Sequence, residues 1–474
     1  MSMYSRREFV QGALAGAGMT GLGGLRPVLW AAPGGMLARP TAQQLLWHEQ
    51  ELGMFFHYDI PVFKPGWNFR QWDKRPGPEI YNPDKLDTDQ WISAATALGA
   101  KYVVLVAKHC TGFLQWQTDL YPYGCKQAPW RGGKGDLVKD FVESARRAGL
   151  KVGLYASTSA NGYLNVDNPG IVNRGRGGDE AAQKHYNRIC EQMCTELYSR
   201  YGELFEIWYD GGVLAPEKGG PDLVPIMAKH QPNAIIFSGP DNAKNPIRWI
   251  GNERGVAPYP CWGSTDAGTA DGGDRERRNA RNYGSPDGRF WAPGECDVPL
   301  YPDKWMWGDP GCWRRWSRDQ LTDMYYRSVG RNCNLLLNAN PDNHGLVPEG
   351  DIAEYKWIAS MIKERFGSPL ATAEGKGPGN VLELSFAAPM PVNQVVLQED
   401  IREGHHIRKY IVEGELAEGG VKTLCEGTCI GHKRIQMFAP EAVRKLRLRV
   451  TEEKGAPLIR SLAAMNIPGR IVQS

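Results

Sequence analysis

After its first forty residues the chain has no apolar run long enough to cross a bilayer, so no membrane-spanning anchor is expected. It also lacks strong charge of either sign. Lys and Arg number 56 against 53 Asp and Glu, a formal net charge of +3. No basic stripe of the kind that tracks a phosphate backbone stands out, so nucleic acid is not an expected partner. Histidine is scarce and its neighbours do not form ligand sets. Cys190 and Cys194 stand one helical turn apart, but no nearby His or Asp completes a site, so they read as core residues. No metal and no cofactor are expected. Of the ten Cys, only Cys425 and Cys429, which flank a Glu-Gly-Thr turn, suggest a local disulfide.

What is present begins with length and rings. A chain of 474 residues exceeds one ordinary core and suggests two domains. It holds 16 Trp and 19 Tyr. Most of these rings fill the core, but such faces also stack on the C–H faces of sugars. At the N-terminus, Arg6-Arg7 precedes a short Gly-broken apolar run and small residues at Ala31-Ala32. This pattern predicts a twin-arginine signal segment over residues 1–32 and a periplasmic or secreted location.

From about residue 45 to 360, short apolar runs alternate with amphipathic stretches. Strands are expected at 53–57, 102–107, 151–156, 204–209 and 234–237. Helices are expected at 89–98, 137–148, 180–201, 223–229 and 351–366. Alternation of this kind predicts a parallel sheet, and the length suits a (β/α)8-like TIM barrel over residues 40–368. A polar segment at 261–290 reads as a long functional loop shaping the leaving-group side. Residues 371–379 read as a linker. Short alternating runs follow, predicting an all-β sandwich over 379–474 that is galactose-binding-like and packs on the barrel.

The barrel reading localises chemistry, because reacting groups lie at the C-terminal ends of such strands. The expected strand ends present His57, then Lys108 and His109, then Tyr155, then Trp208 with Asp210, and finally Glu253. Core packing favours apolar ends, so five polar ends together point to a polyhydroxylated ligand. Asp210 precedes two glycines that let the chain turn away, which suits a nucleophile; Trp208 is placed to wall a sugar. Glycoside hydrolysis needs one acid to protonate the leaving oxygen and one carboxylate opposite it. Glu253 is the favoured proton donor. Glu295, in Trp291-Ala292-Pro293-Gly294-Glu295, is the alternative.

Several segments resemble those of the α-L-fucosidases of glycoside hydrolase family 29. Ala107-Lys108-His109-Cys110-Thr111-Gly112-Phe113 is similar to that family's Ala-Lys-His-His-Asp-Gly-Phe. Phe205-Glu206-Ile207-Trp208-Tyr209-Asp210-Gly211 looks like its nucleophile motif, and Ser328-Val329-Gly330-Arg331-Asn332 opens a later signature. The resemblance implies a retaining exo-glycosidase acting on a fucosylated glycan, with Asp210 as nucleophile. It implies Trp249-Ile250-Gly251-Asn252-Glu253 as the acid/base motif of the subgroup preferring branched 1,3- and 1,4-linked fucose. His57, Lys108, His109, Tyr155 and Trp208 would then bind substrate. Three positions depart from the pattern: Asp59 stands where the family has Gly, Cys110 where it has His, and Thr111 where it has Asp. These departures keep two alternatives open, a degenerate secreted carbohydrate-binding protein and a glycosidase for a related sugar such as an α-L-galactoside.

Overall fold

A computed structural model describes residues 36–67, 71–173, 179–266, 275–308 and 313–472. The expected signal segment and Cys312 lie outside the described residues. Eight parallel strands close into a barrel: β1 (Leu52–Phe56), β2 (Tyr102–Lys108), β3 (Lys151–Ala156), β4 (Glu206–Trp208), β5 (Ile235–Phe237), β6 (Pro246–Trp249), β7 (Gly294–Pro299) and β8 (Cys333–Ala339). Each pairs with its sequence neighbours, and β8 closes on β1.

The strands read as continuous apolar runs because both of their faces are covered. In β1, Leu52, Met54 and Phe56 face the surrounding helices while Phe55 points into the barrel. Gly53 also faces inward, and a Cβ there would sit 2.4 Å from the ring of Tyr102. Only glycine lets that ring fill the base of the barrel.

Helix α1 (Ala42–His48) precedes β1 and plugs the barrel's N-terminal end, with Trp47 inside the lumen cluster. The outer helices are α2 (Thr88–Leu98), α3 (Leu137–Arg147), α4 (Glu180–Arg200), α5 (Val224–His230), α6 (Arg275–Tyr283), α7 (Arg318–Arg327) and α8 (Glu349–Phe366). Asp87, Asp136 and Asp179 start α2, α3 and α4 by accepting from backbone N–H groups of the first turn. In α3, Leu137, Val138, Phe141, Val142 and Ala145 form one buried stripe at helical spacing.

The second unit holds β9 (Ala371–Glu374), β10 (Val381–Glu399), β11 (Ile407–Leu416), β12 (Val421–Gly427), β13 (Arg434–Glu453) and β14 (Ile459–Met465). These strands form one antiparallel sheet. The long β10 and β13 break register between Ser385 and Met390 and again between Val392 and Gln394. Their first and second halves therefore pair with different neighbours, and the two halves fold over a shared core that includes Val395, Leu397, Val412, Leu446, Leu448 and Leu462. The register breaks bend the long strands so that the sheet wraps this core.

Three local expectations change. The linker expected at 371–379 begins as β9, because Ala371 and Ala373 alternate onto the sandwich core while Ala371–Glu374 pair with β14. The polar segment at 261–290 is structured where described: Ser264–Thr265 pair with Phe290–Trp291, and α6 lies between them in the chain. Cys425 and Cys429 are free thiols, as are all nine cysteines among the described residues.

The sandwich docks through the segments around Glu399 and His432. His405 Nε2 accepts from the Gly263 N–H at 2.8 Å, and Arg434 stacks on Tyr259 at 3.9 Å. Glu51, just before β1, pairs with Lys433 and His432.

Candidate active site

His57 directly follows β1. Its Nδ1 lies 2.7 Å from Oδ1 of Asn338 on β8, and its ring sits 4.9 Å from that of Trp305. Two strands round the barrel from β1, on β3, the Tyr155 hydroxyl donates to Asp210 Oδ2 at 2.9 Å. The Ser159 hydroxyl donates to the Asp210 carbonyl at 2.6 Å. The following Gly211 has φ +70° and a Cβ there would lie 2.6 Å from Ser159 Oγ, so glycine is what lets the chain leave the nucleophile candidate this way. His109 stacks on Tyr155 at 5.8 Å and meets His57 edge-on at 5.7 Å.

Glu253 lies beyond the end of β6, four residues past Trp249, in a loop rather than at a strand tip. It is 8% exposed, and the Trp305 indole donates to its Oε2 at 3.0 Å. Contacts therefore run from Glu253 through Trp305, His57 and Tyr155 to Asp210, placing both carboxylates in one cluster. Helix α6 borders this loop, with Arg281 over the Trp249 ring and Asn282 against Gly251.

Other candidates sit elsewhere. The register of β2 against β3 slips between Val106 and Lys108, a bulge that turns the lysine out of the lumen. The buried Lys108 ammonium donates to the carbonyls of Ser157 and Ala160 at 2.7 and 2.6 Å. Burial brings it down to about 8. It braces the loop beneath Asp210. Glu295 is the second residue of β7, at the start of the strand, and is fully buried. Tyr102 donates to one of its oxygens at 2.8 Å and Trp208 to the other at 2.9 Å. Trp208 itself is 2% exposed, sandwiched between Phe237 at 3.7 Å and Tyr155 at 5.3 Å. It is a floor beneath the cluster, not an exposed wall.

The three departures at 59, 110 and 111 are spatially linked. Thr111 donates its hydroxyl to Asp59 Oδ2 at 2.5 Å, and the same carboxylate lies 4.0 Å from His109 Nδ1. A carboxylate absent at 111 is thus supplied beside His109 from the loop after β1. Burial raises Asp59 to about 7, against hydrogen bonds from Thr111 and the Ile60 N–H. The Cys110 Sγ lies 3.2 Å from His109 Nδ1. Burial and the charge of Asp210 push this thiol up, so it stays neutral.

Trp305 and Asn338 were not singled out in the sequence. Asn338 carries the same signal as the others, a polar residue near the end of an apolar strand. Trp305 lies in a loop beside the Tyr301–Lys304 bridge and has no such signal. A separate cavity of about 830 Å³ lies on the α1 side, at the junction with the sandwich, lined by Glu49, Arg402 and Arg460 together with Leu45 and Ile459 among others. His432 is the one ring in its lining. Among the described residues no His, Cys, Asp and Glu group is arranged to hold a metal. Two carboxylates in one aromatic cluster, one with a phenol donor and one with an indole donor, suit acid–base and nucleophilic chemistry on a polyhydroxylated substrate.

Residues 38–364 match the α-L-fucosidase family. The chain is 31% identical over 473 residues to α-L-fucosidase 1 of Arabidopsis thaliana, covering 90% of this chain and 87% of that one. A Bacteroides thetaiotaomicron structure provisionally assigned as an α-L-fucosidase superposes with a TM-score of 0.83 at 38% identity, covering 91% of this chain and 100% of that one. A Ruminococcus gnavus glycoside hydrolase family 29 fucosidase in complex with fucose shares the fold, with a TM-score of 0.75 at 21% identity over 92% and 97% of the two chains.

Proposed function

The chain belongs to the α-L-fucosidase family and hydrolyses α-L-fucosides, and from that premise we propose that it does so with retention, using Asp210 as nucleophile and Glu253 as acid/base. Asp210 attacks the anomeric carbon while Glu253 protonates the departing glycosidic oxygen. The resulting fucosyl ester on Asp210 is then hydrolysed by a water that Glu253 deprotonates. The observation that carries this assignment is the placement of the three acids. Asp210 and Glu253 share the aromatic cluster at the strand ends, whereas Glu295 is enclosed at the base of the barrel with both oxygens occupied.

The preference for branched 1,3- and 1,4-linked fucose is supported by the Trp249-to-Glu253 motif and by α6, which borders the loop carrying the proposed acid. Export by the twin-arginine route is supported by Arg6-Arg7. Replacing both with Lys should leave the activity inside the cytoplasm.

Fucose release from a branched fucosylated oligosaccharide and from an aryl α-L-fucoside tests the assignment. Asp210→Ala should lose about 10⁴-fold or more in kcat on both substrates. Glu253→Ala should lose far more on the oligosaccharide than on an aryl fucoside whose leaving group needs no proton. Wild-type activity in a folded Asp210→Ala variant would overturn the assignment.

A further inference from the structure

Below the active-site cluster, two carboxyl groups that the reaction does not use are enclosed in the lumen. Glu206 and Glu295 are both fully buried and are close enough for their charges to interact. The Trp47 indole of the α1 plug donates to Glu206 Oε2 at 3.2 Å, and Tyr102 donates to Glu295 Oε2 at 2.8 Å. Burial raises both groups, and the charge of Glu295 raises Glu206 further. Two neighbouring carboxyls in such a medium do not both ionise readily, so the pair resists carrying two charges.

Above the pair the contacts continue without a break. Glu295 Oε1 receives the Trp208 indole N–H at 2.9 Å. Trp208 lies on Tyr155 with their planes 20° apart, and Tyr155 in turn carries His109 at 24°. The Tyr155 hydroxyl ends the column on Asp210. The χ1 and χ2 angles of Trp208 set where its indole lies on the Tyr155 ring, and the bond from its N–H to Glu295 is the directional contact that fixes them against the non-directional packing of the two neighbouring rings. We infer that Glu295 is a positioning residue for the nucleophile: braced by Tyr102, it fixes the Trp208 indole and through the Trp208–Tyr155 stack sets how the phenol meets Asp210. This inference rests on Asp210 being the nucleophile.

A hydrogen bond to a carboxylate lowers its pKa, so loss of the phenol contact moves the acidic limb of kcat/KM to higher pH. Tyr155→Phe should show that shift, with kcat down about 10- to 30-fold. Glu295→Met, which removes the tie while filling the space, should reproduce the same limb shift and a kcat loss of similar order, with KM little changed. The double variant Glu295→Met/Tyr155→Phe should be no worse than the poorer single, because both act through one contact. Glu295→Gln keeps an acceptor for Trp208 and a donor for Tyr102. It should stay within about threefold of wild type, an outcome that a proton-donating role for Glu295 forbids.

An unmoved acidic limb in folded Glu295→Met, or strictly multiplicative losses in the double variant, would overturn the inference. Should Glu295→Met fail to fold, Tyr102→Phe removes the brace alone. It should shift the limb in the same direction by a smaller amount, and no shift would again overturn the inference. Activity retained by Asp210→Ala would instead sink the underlying assignment, so the two failures are distinguishable.

Discussion

Replacing Trp305 by Phe isolates one hydrogen bond to the proposed acid/base. The indole N–H donates to Glu253 Oε2 at 3.0 Å, while the ring packs on His57 at 4.9 Å. Phe retains most of the ring packing and removes the donor. A hydrogen bond to a charged acceptor contributes about 1.5–3 kcal/mol and one to a neutral acceptor about 1 kcal/mol. The carboxylate form of Glu253 therefore loses about 1 kcal/mol more than the carboxylic acid, which raises its pKa by about one unit at 1.36 kcal/mol per unit. Glu253 is only 8% exposed, so solvent replaces little of the lost contact. The basic limb of kcat/KM, which reports loss of the acid's proton, should move up by about one pH unit. Tyr155, not Trp305, donates to Asp210, so the acidic limb should stay in place. The assay is kcat/KM from pH 4 to 9 on an aryl fucoside with a poor leaving group, where protonation limits the rate. A basic limb that stays put, or an acidic limb that moves in its stead, would refute the reasoning.

Two further predictions concern stability. Lys433 and His432 hold the Glu51 carboxyl down at about 2, although burial alone would raise it. A depressed acid stabilises the fold above its ordinary value near 4.5 and loses that stabilisation as pH falls toward 2. Glu51→Gln should cost on the order of 3 kcal/mol at neutral pH. Thermal melts should show the gap to wild type closing toward pH 3, and a gap independent of pH would contradict the pairing. Asp59 has the opposite sign. Its pKa is raised from 3.8 to about 7, so the folded state holds a proton that the unfolded chain has lost, and stability falls as pH rises through that window. Asp59→Asn should lose less Tm than wild type between pH 5 and 8; an equal loss would show that Asp59 is not the titrating group.

The amino-acid sequence alone determined what depends on neighbours along the chain. Apolar runs covered on both faces marked the strands, and amphipathic stretches marked the helices between them. Polar residues closing those runs marked His57, His109, Tyr155 and Asp210, because a strand's last residue reaches the same rim whatever the other strands do. The resemblance narrowed the chemistry further through motifs that are themselves local. The tertiary structure decided what depends on closure of the barrel. Glu253 and Glu295 both stand within two residues of a glycine in the sequence. Only strand registry shows that Glu295 opens β7 at the enclosed base while Glu253 reaches the rim from a loop. A one-residue slip in β2 turns Lys108 away from the lumen, and no periodicity announces such a slip. Thr111 and Asp59 looked like separate departures until the fold set them 2.5 Å apart. Trp305 had no local signal, because its role arises from a loop folding over residues that lie about fifty positions before it and far earlier in the chain. Side-chain type and spacing are properties of a segment, whereas proximity and burial belong to surfaces that exist only once the eight strands have closed.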